Sequence, residues 1–152
     1  MRLNMIKILF VCYGNICRSP MAEFVLKDMV QRKNRQAEFE IASAAVSDDA
    51  LGCDMHRGSK QKLTEEGIPF SPRQARRMCP EDYDRYDWIV AMDRSNIADI
   101  ERITWGDPEN KVRLLLDFAG EHRDIADPWY TRDFDATYED IRRGCEALCN
   151  RL

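Results

Sequence analysis

The chain has 152 residues, of which 44% are hydrophobic and 33% charged, and its formal net charge is −4. This length predicts a single domain over residues 1–152, which can bury enough surface to fold without a metal or a disulfide framework. The negative charge argues against a nucleic-acid partner, because phosphate backbones attract basic surfaces. The apolar run at 5–12 is too short to span a bilayer and lacks the cleavage site of a targeting segment, so we expect no membrane partner.

The cysteines are too sparse for a secreted disulfide framework, and no two of them form a Cys-x-x-Cys pair. They stand at positions 12, 17, 53, 79, 145 and 149. With only two histidines as further soft ligands, we expect no metal site, and we expect no cofactor. Reduced thiols and a cytoplasmic location are the resulting predictions.

The predicted elements begin with a strand at 6–11, whose almost continuous apolar character is typical of a strand covered on both faces. A helix follows, with Ser19 as its N-cap and Pro20 in its first turn, and continues to about Arg32. A second strand is predicted at 39–46. Short apolar segments thus alternate with longer amphipathic ones.

The middle of the chain continues the alternation. A helix at 58–66 is predicted to stop at Gly67, and a third strand at 88–92 precedes a helix with isoleucines at helical spacing. A fourth strand is predicted at 112–116.

The chain closes with a polar loop at 117–135 and a helix with a buried stripe at steps of three and four residues. The stripe consists of Tyr138, Ile141, Cys145, Leu148 and Leu152. Four strand–helix alternations predict an α/β fold, a four-stranded parallel sheet with helices on both faces. Ligands in such folds bind at the carboxyl ends of the strands, and Cys12 follows the first strand at such an end.

The spacing Cys-x5-Arg occurs three times in the chain, at Cys12/Arg18, Cys79/Arg85 and Cys145/Arg151. The second copy contains three carboxylates, which would repel an anion. The third lies inside the predicted last helix, where backbone N–H groups are already paired. Only the first copy joins a buried strand to a helix N-terminus, so it alone is predicted to bind a phosphate.

The first copy, Cys-Tyr-Gly-Asn-Ile-Cys-Arg-Ser, has the residues that a phosphate cradle needs. Unpaired N–H groups at a helix N-terminus favour negative charge, which suits both a phosphate and a thiolate at Cys12. Gly14 and Asn15 accept left-handed backbone angles, so the loop can turn its amides inward. Arg18 offers a planar fork for two phosphate oxygens while the thiolate attacks phosphorus.

Residues 11–23, Val-Cys-Tyr-Gly-Asn-Ile-Cys-Arg-Ser-Pro-Met-Ala-Glu, resemble the signature loop of the low-molecular-weight protein tyrosine phosphatases. Further matches follow in the family's order at 43–47, 91–96 and 127–130. The resemblance implies a metal-independent phosphomonoester hydrolase with a phosphocysteine intermediate. Its implied substrates are tyrosine-phosphorylated proteins and small aryl phosphates.

A tyrosine leaving group needs a proton donor, and the polar loop offers several aspartates. Asp127 stands out because Pro128 restricts its backbone, and Trp129 and Tyr130 beside it can exclude water. From the residues alone a plain Asp-Pro turn is the favoured interpretation. The resemblance reverses this and implies that Asp127 is the general acid, and then the base that activates water.

The predicted site extends beyond Cys12, Arg18 and Asp127. The predicted substrate-binding residues are Tyr13, Gly14, Asn15, Ile16, Cys17, Ser19, Trp129 and Tyr130. The rings of Tyr13, Trp129 and Tyr130 are expected to form the pocket walls. Ser19 is expected to hydrogen-bond the sulfur in addition to capping the helix. By resemblance, Asn15 and Ser43 support the loop. Related protein-arginine phosphatases carry Thr where Ile16 stands, which favours phosphotyrosine.

The resemblance also implies that Cys17 is a redox partner that forms a reversible disulfide with Cys12. The chain departs from the family at two places. Asp48 and Asp49 stand where members often carry an aromatic residue, which favours basic residues beside the phosphotyrosine. Residues 71–74, Ser-Pro-Arg-Gln, lack the histidine that supports the loop asparagine in many members.

The main alternative is a thioredoxin-coupled arsenate reductase, which shares the fold and the loop. That chemistry needs two further cysteines close together, and the next cysteine after Cys79 is Cys145. A phosphate-binding module with an inactive site is a second alternative, but it would lack the thiol, the guanidinium or the acid, and all three are present. A nucleotide kinase is disfavoured because no Gly-Lys-Ser/Thr loop occurs.

Overall fold

The computed structural model describes residues 5–152, so the expectation that the chain starts without a targeting signal falls partly on residues outside the described range. Within that range, four strands form one parallel sheet in the order β2-β1-β3-β4. The strands are β1 Ile6–Cys12, β2 Phe39–Ala45, β3 Trp88–Ala91 and β4 Val112–Leu114. The predicted four-stranded parallel sheet is confirmed.

The helices lie in the connections between the strands and after the last strand. They are α1 Arg18–Arg32, α2 Arg57–Glu65, α3 Asp82–Arg85, α4 Arg94–Thr104, α5 Pro128–Thr131 and α6 Phe134–Arg151, with 3-10 turns at Gln36–Glu38 and Leu115–Ala119. Among residues 5–152, no helix has the length and the apolar character needed to cross a bilayer.

Strand β1 explains why helices cover both faces of the sheet. Its side chains alternate between two separate hydrophobic cores, since successive residues of a strand point to opposite faces. Ile8 and Phe10 belong to the core that includes α1 and α6, whereas Leu9 and Val11 belong to the core that includes α4. All four are fully buried. The strand therefore holds its last residue, Cys12, at a well-packed position.

The structure corrects three predictions for the second half of the chain. Strand β4 ends at Leu114, because the Asp117 carboxylate accepts the Leu114 N–H at 3.3 Å and the chain turns into a 3-10 helix. The short helix α3 was not predicted; Asp82 stabilises its start by accepting the Cys79 N–H at 2.9 Å. The polar loop at 117–135 contains α5 and the first residues of α6.

The predicted N-cap of α1 is wrong. Helix α1 begins at Arg18 with Cys17 at the N-cap position, and Ser19 is fully buried inside the first turn. The Ser19 hydroxyl lies 3.0 Å from Cys12 Sγ, so it serves the sulfur and not a helix N–H. The predicted stop at Gly67 is confirmed: it follows the end of α2 with a φ of 70°, which glycine adopts without strain.

Candidate active site

The Cys12 sulfur lies inside a turn of backbone amides. The N–H groups of Asn15 and Ser19 donate to Sγ at 3.3 and 3.4 Å, and Ser19 Oγ lies 3.0 Å from the same atom. The cysteine itself is only 3% exposed. Hydrogen bonds of this kind stabilise negative charge on an atom that has little contact with water. The predicted inward turn of the loop is therefore present.

Asn15 is the residue that allows this turn. Its φ is 59°, in the left-handed region that asparagine tolerates better than most residues, and its side chain is fully buried. Asn15 Nδ2 donates to Ser19 Oγ at 2.8 Å. Asn15 Oδ1 accepts from Arg73 Nη2 at 2.5 Å and from the Arg76 N–H at 3.2 Å. The loop asparagine, which lacks a histidine partner, is thus supported by Arg73, a residue that the sequence reasoning missed.

Arg18 is a buried cation held from one side. Its Nη1 donates to Asp93 at 2.7 Å and to the Ile125 carbonyl at 2.8 Å, and its Nη2 lies 3.4 Å from Asp127. The residue is only 2% exposed. Among the described residues, its Nε has no hydrogen-bond partner although it is buried. A buried donor of this kind is costly unless something binds it, which fits an anion site.

Asp93 is a second residue that the sequence reasoning did not assign to the site. It lies between β3 and α4, where it caps the helix by accepting the Asn96 N–H at 2.9 Å. Burial alone would raise the pKa of Asp93, but hydrogen bonds from Ser95 and Arg18 outweigh burial and hold that pKa below its ordinary value. Asp93 is therefore a charged partner that fixes the Arg18 guanidinium. The feature of the sequence that could have indicated this role is the position of Asp93, directly after a predicted strand and before a predicted helix.

Asp127 lies at the start of α5, with its carboxylate directed toward the site. Its backbone is extended, as expected before Pro128, and its Oδ1 accepts the Trp129 N–H at 3.0 Å. Its other oxygen lies 3.4 Å from Arg18 Nη2, and the side chain is 23% exposed. The structure thus brings Cys12, Arg18 and Asp127 together at one place.

Cys12 and Asp127 line a cavity of about 180 Å³. Its lining consists of Cys12, Tyr13, Gly14, Ile16, Cys17, Asp49, Ala50, Asp127, Trp129 and Tyr130. Tyr13, Trp129 and Tyr130 form the predicted walls, but they remain 44%, 52% and 78% exposed, so they shield Asp127 only in part.

Four predicted residues lie outside that lining: Arg18, Asn15, Ser19 and Ser43. Asn15 and Ser19 belong to the loop and donate backbone N–H groups to the sulfur, and Arg18 is buried next to Asp93 and Asp127. Ser43 is placed elsewhere: its hydroxyl donates to Glu23 on α1 at 2.6 Å. Any support that Ser43 gives the loop is therefore indirect.

His56 connects three parts of the site. Its backbone N–H donates to the Ile16 carbonyl at 2.8 Å, and its imidazole ring lies edge-on to the Trp129 ring with centroids 5.8 Å apart. The same ring stacks on Phe134 at 5.2 Å, and its Nδ1 accepts the Gly58 N–H at the start of α2. His56 therefore packs the loop at 12–19, which we call the phosphate loop, against the segment that carries Asp127. Its role depends on tertiary contacts, which no motif in the sequence indicates.

Cys17 lines the cavity next to Cys12 and is buried. Burial, assisted by the negative neighbours Cys12 and Asp127, raises the pKa of the Cys17 thiol to about 12. Cys17 is thus a neutral thiol at ordinary pH, and all six cysteines are free. Among residues 5–152, no group of three or more His, Cys, Asp or Glu side chains is arranged to hold a metal ion.

The comparison with known families matches residues 7–152 to the model "Low molecular weight phosphotyrosine protein phosphatase". The chain belongs to this family. A Bacillus subtilis relative, the low molecular weight protein-tyrosine-phosphatase YfkJ, is 36% identical over 146 residues, 95% of this chain and 94% of the relative. The predicted phosphatase family is confirmed, and the arsenate reductase alternative is not favoured.

Solved structures of phosphatases have the same fold. The crystal structure of Bacillus subtilis YfkJ superposes with a TM-score of 0.95 at 35% identity, covering 99% of this chain and 96% of that one. The crystal structure of DARP, a Drosophila arginine phosphatase, superposes with a TM-score of 0.88 at 31% identity, covering 96% of this chain and 97% of that one. The phosphatase fold therefore extends over nearly the whole chain.

The ion pair between Asp93 and Arg18 is expected to stabilise the folded phosphatase in a way that depends on pH. Asp93→Asn keeps an oxygen to cap α4 but removes the charge that faces Arg18, so the free energy of unfolding should fall at neutral pH. The pKa of Asp93 is depressed in the folded state, so its contribution is complete above the unfolded-state pKa of about 4 and is lost as the pH falls through the folded-state value. Urea unfolding of both proteins across this range should show the difference shrinking toward acidic pH.

Asp124→Asn is the matched control, because Asp124 pairs with Arg94 at a much more exposed position. It should change stability little at any pH. A constant difference between wild type and Asp93→Asn at all pH values would contradict the assignment of that stability to the Asp93 charge.

Proposed function

We propose that the chain hydrolyses phosphotyrosine in proteins, and small aryl phosphates, through a phosphocysteine formed on Cys12. The observation that carries this proposal is a buried sulfur that accepts two backbone N–H groups, next to a buried guanidinium whose Nε has no hydrogen-bond partner within residues 5–152. Family membership over residues 7–152 supports it. The same match supports one phosphatase domain across the chain, for which a single cooperative unfolding transition is expected.

In the first step, the loop amides and the Arg18 guanidinium bind the phosphate oxygens and stabilise their charge. Cys12 Sγ attacks phosphorus while the bond from phosphorus to the phenolic oxygen breaks. The leaving oxygen is strongly basic, so Asp127 gives its proton to it. The products of this step are the free tyrosine and the phosphocysteine.

In the second step, water attacks the phosphorus of the phosphocysteine. Asp127, now a carboxylate, accepts a proton from the water as the sulfur–phosphorus bond breaks. The sulfur leaves as a thiolate, which the Ser19 hydroxyl and the two loop amides stabilise, and inorganic phosphate is released. This step restores the Cys12 thiolate and leaves Asp127 protonated, ready to act as the acid in the next cycle.

The pocket wall suits a flat aromatic substrate. Tyr13, Trp129 and Tyr130 offer exposed rings beside the cavity, and Ile16 adds an apolar surface near its base. Aromatic rings of this kind bind a phenyl group by stacking and apolar contact. We therefore expect phosphotyrosine to be preferred over phosphoarginine, the substrate class named for the similar Drosophila enzyme.

The direct test is an aryl-phosphate assay in the presence of EDTA. Wild type should turn over, Cys12→Ser should not, and Asp127→Ala should lose roughly 10²–10⁴-fold in kcat, the usual contribution of a general acid. Asp135→Ala is the control, since Asp135 comes from the same acidic segment but its side chain is 80% exposed.

Two outcomes would contradict the mechanism. Undiminished turnover by Cys12→Ser would show that Cys12 is not the nucleophile. An equal loss of kcat in Asp127→Ala and Asp135→Ala would show that Asp127 is not the general acid. Arsenate-dependent oxidation of thioredoxin by wild type would support the arsenate reductase instead.

Asp49 gives the pocket mouth a negative charge. Its carboxylate lines the cavity and accepts the Tyr13 hydroxyl at 2.7 Å, and this hydrogen bond raises the pKa of Tyr13. We propose that this charge favours basic residues beside the phosphotyrosine. Asp49→Asn keeps an acceptor for Tyr13 and removes only the charge.

The measurement is kcat/KM for two phosphopeptides that differ only in lysine or glutamate next to the phosphotyrosine. Asp49→Asn should reduce the preference for lysine by about twofold to fivefold, the size expected of an exposed charge pair. Turnover of a small aryl phosphate is the reference and should stay unchanged. An unaltered peptide preference would show that Asp49 does not select the substrate.

We further propose that Cys17 protects the nucleophile from oxidation. Both cysteines line one cavity. Peroxide would convert the Cys12 thiolate to a sulfenic acid, and the Cys17 thiol would then displace water from it to form a disulfide. A mechanism that depends on a reduced Cys12 needs a reducing compartment, which supports a cytoplasmic location.

Cys17→Ser tests this proposal. Wild type treated with peroxide should regain activity on addition of a thiol reductant, and its mass should fall by two hydrogens before reduction. Cys17→Ser should instead gain oxygen atoms and stay inactive, whereas Cys53→Ser, which changes an exposed cysteine, should behave as wild type. Wild-type inactivation that persists after thiol reductant would refute the protective role.

A further inference from the structure

Arg73 is a half-buried cation behind the phosphate loop that the mechanism above does not use. Its Nη2 donates to Asn15 Oδ1 at 2.5 Å, and its Nη1 lies 3.4 Å from the Cys53 carbonyl. Its backbone N–H donates to Asp54 at 3.3 Å, which ties the segment in place. Burial lowers the pKa of Arg73, while the nearby charges of Glu23 and Asp54 oppose this effect. Arginine nevertheless stays protonated in proteins, so Arg73 is a permanent donor.

The donors around Asn15 determine which way its amide points. Asn15 Oδ1 receives the Arg73 guanidinium and the Arg76 N–H, and neither group can accept a hydrogen bond. The oxygen must therefore face these two donors, and the amide nitrogen must face Ser19. Of the two, the Arg73 bond is shorter and carries a charge, so it is the stronger constraint.

The orientation of Asn15 in turn directs the Ser19 hydroxyl. Ser19 Oγ accepts from Asn15 Nδ2 at 2.8 Å, so its own proton is free to point elsewhere. Cys12 Sγ lies 3.0 Å away, whereas the other acceptor, the Ala44 carbonyl, lies at 3.5 Å. The hydroxyl proton is thus directed to the sulfur. In the series Arg73, Asn15, Ser19 and Cys12, each residue therefore donates a hydrogen bond to the next one.

We propose that Arg73 is a positioning residue for the phosphatase reaction, which acts through Asn15 and Ser19 to aim a hydroxyl proton at the Cys12 sulfur. This inference rests on the proposed function. The hydroxyl stabilises the thiolate before attack on phosphorus. It stabilises the same thiolate again when water attacks and the sulfur–phosphorus bond breaks, with Asp127 taking the proton from water. Arg73 touches neither substrate nor sulfur.

The test compares Arg73→Met, which keeps the aliphatic stem but cannot donate, with Arg73→Lys, which restores a charged donor. Arg73→Met should lower kcat for an aryl phosphate about tenfold, which corresponds to about 1.4 kcal/mol, with KM changed by less than about twofold. Arg73→Lys should recover part of this loss. Arg77→Met is the control, because Arg77 lies in the same segment but its side chain pairs with Asp48 at the surface.

A second measurement does not depend on turnover. Iodoacetamide should alkylate Cys12 more slowly in Arg73→Met than in wild type, because the Ser19 hydroxyl is no longer directed to the sulfur to stabilise its negative charge. Peptide mass mapping separates Cys12 from the exposed Cys53 and Cys79. Circular dichroism checks the fold, and Arg73→Leu, which also cannot donate, replaces Arg73→Met in both assays if the latter does not fold.

The inference is overturned if Arg73→Met matches wild type in both kcat and alkylation rate, or if Arg77→Met shows the same loss. A rise in KM at constant kcat would also overturn it, since that result would place Arg73 in substrate binding. Absence of turnover in wild type would instead refute the proposed function, while the alkylation rates would still test the arrangement of hydrogen bonds.

Discussion

The site depends on one requirement, which is that a sulfur atom almost removed from water must be able to carry a negative charge. Burying a charge is costly unless hydrogen bonds compensate for the lost hydration. Here the compensation comes from the start of α1, where the Asn15 and Ser19 amides and the Ser19 hydroxyl converge on Cys12 Sγ. The same convergence suits a phosphate, because N–H groups at a helix start are not used by the helix itself.

The buried Arg18 poses the opposite problem, a cation without water. Asp93, the Ile125 carbonyl and Asp127 surround one side of its guanidinium, which compensates for part of its desolvation. These partners come from the β3–α4 junction and from the segment before α5. Removal of one partner would leave a buried charge uncompensated, so the geometry of the cation depends on distant parts of the chain. The sheet brings those parts together, because β1 and β3 are neighbours and their carboxyl ends meet at one edge.

The sequence predicted the parts of the structure that short-range patterns encode. The strand before Cys12 is a continuous apolar run, and the loop after it turns through the left-handed angle of Asn15, so both could be placed correctly. The left-handed angle expected of Gly14 does not occur, because Asn15 alone provides it within this loop. Asp127 was found because Pro128 follows it and because the family motif includes both. The predicted role of Ser19 as a helix cap was wrong. Its hydroxyl could bond either to a helix N–H or to the Cys12 sulfur, and the sequence does not show which of these groups lies beside it.

Arg73, Asp93 and His56 escaped sequence analysis for a common physical reason. Each contributes through contacts with residues far away in the chain, such as Arg73 with Asn15 and Asp93 with Arg18. Arginine and aspartate lie at the surface of most proteins, and histidine occurs both there and inside, so their presence carries little information without the fold. The end of β4 was misplaced for a related reason, since Leu115 and Leu116 are buried whether they belong to a strand or to a 3-10 turn.

The cavity has a buried base and an exposed rim, and these two regions differ in how freely they can change. The base is formed by residues that are almost completely buried, such as Cys12 and Cys17, so a substitution there disturbs several neighbours at once. The rim consists of side chains such as Trp129 and Tyr130, most of whose surface faces solvent. Substitutions at the rim can therefore change the contacts with a target protein while the packing of the base stays intact.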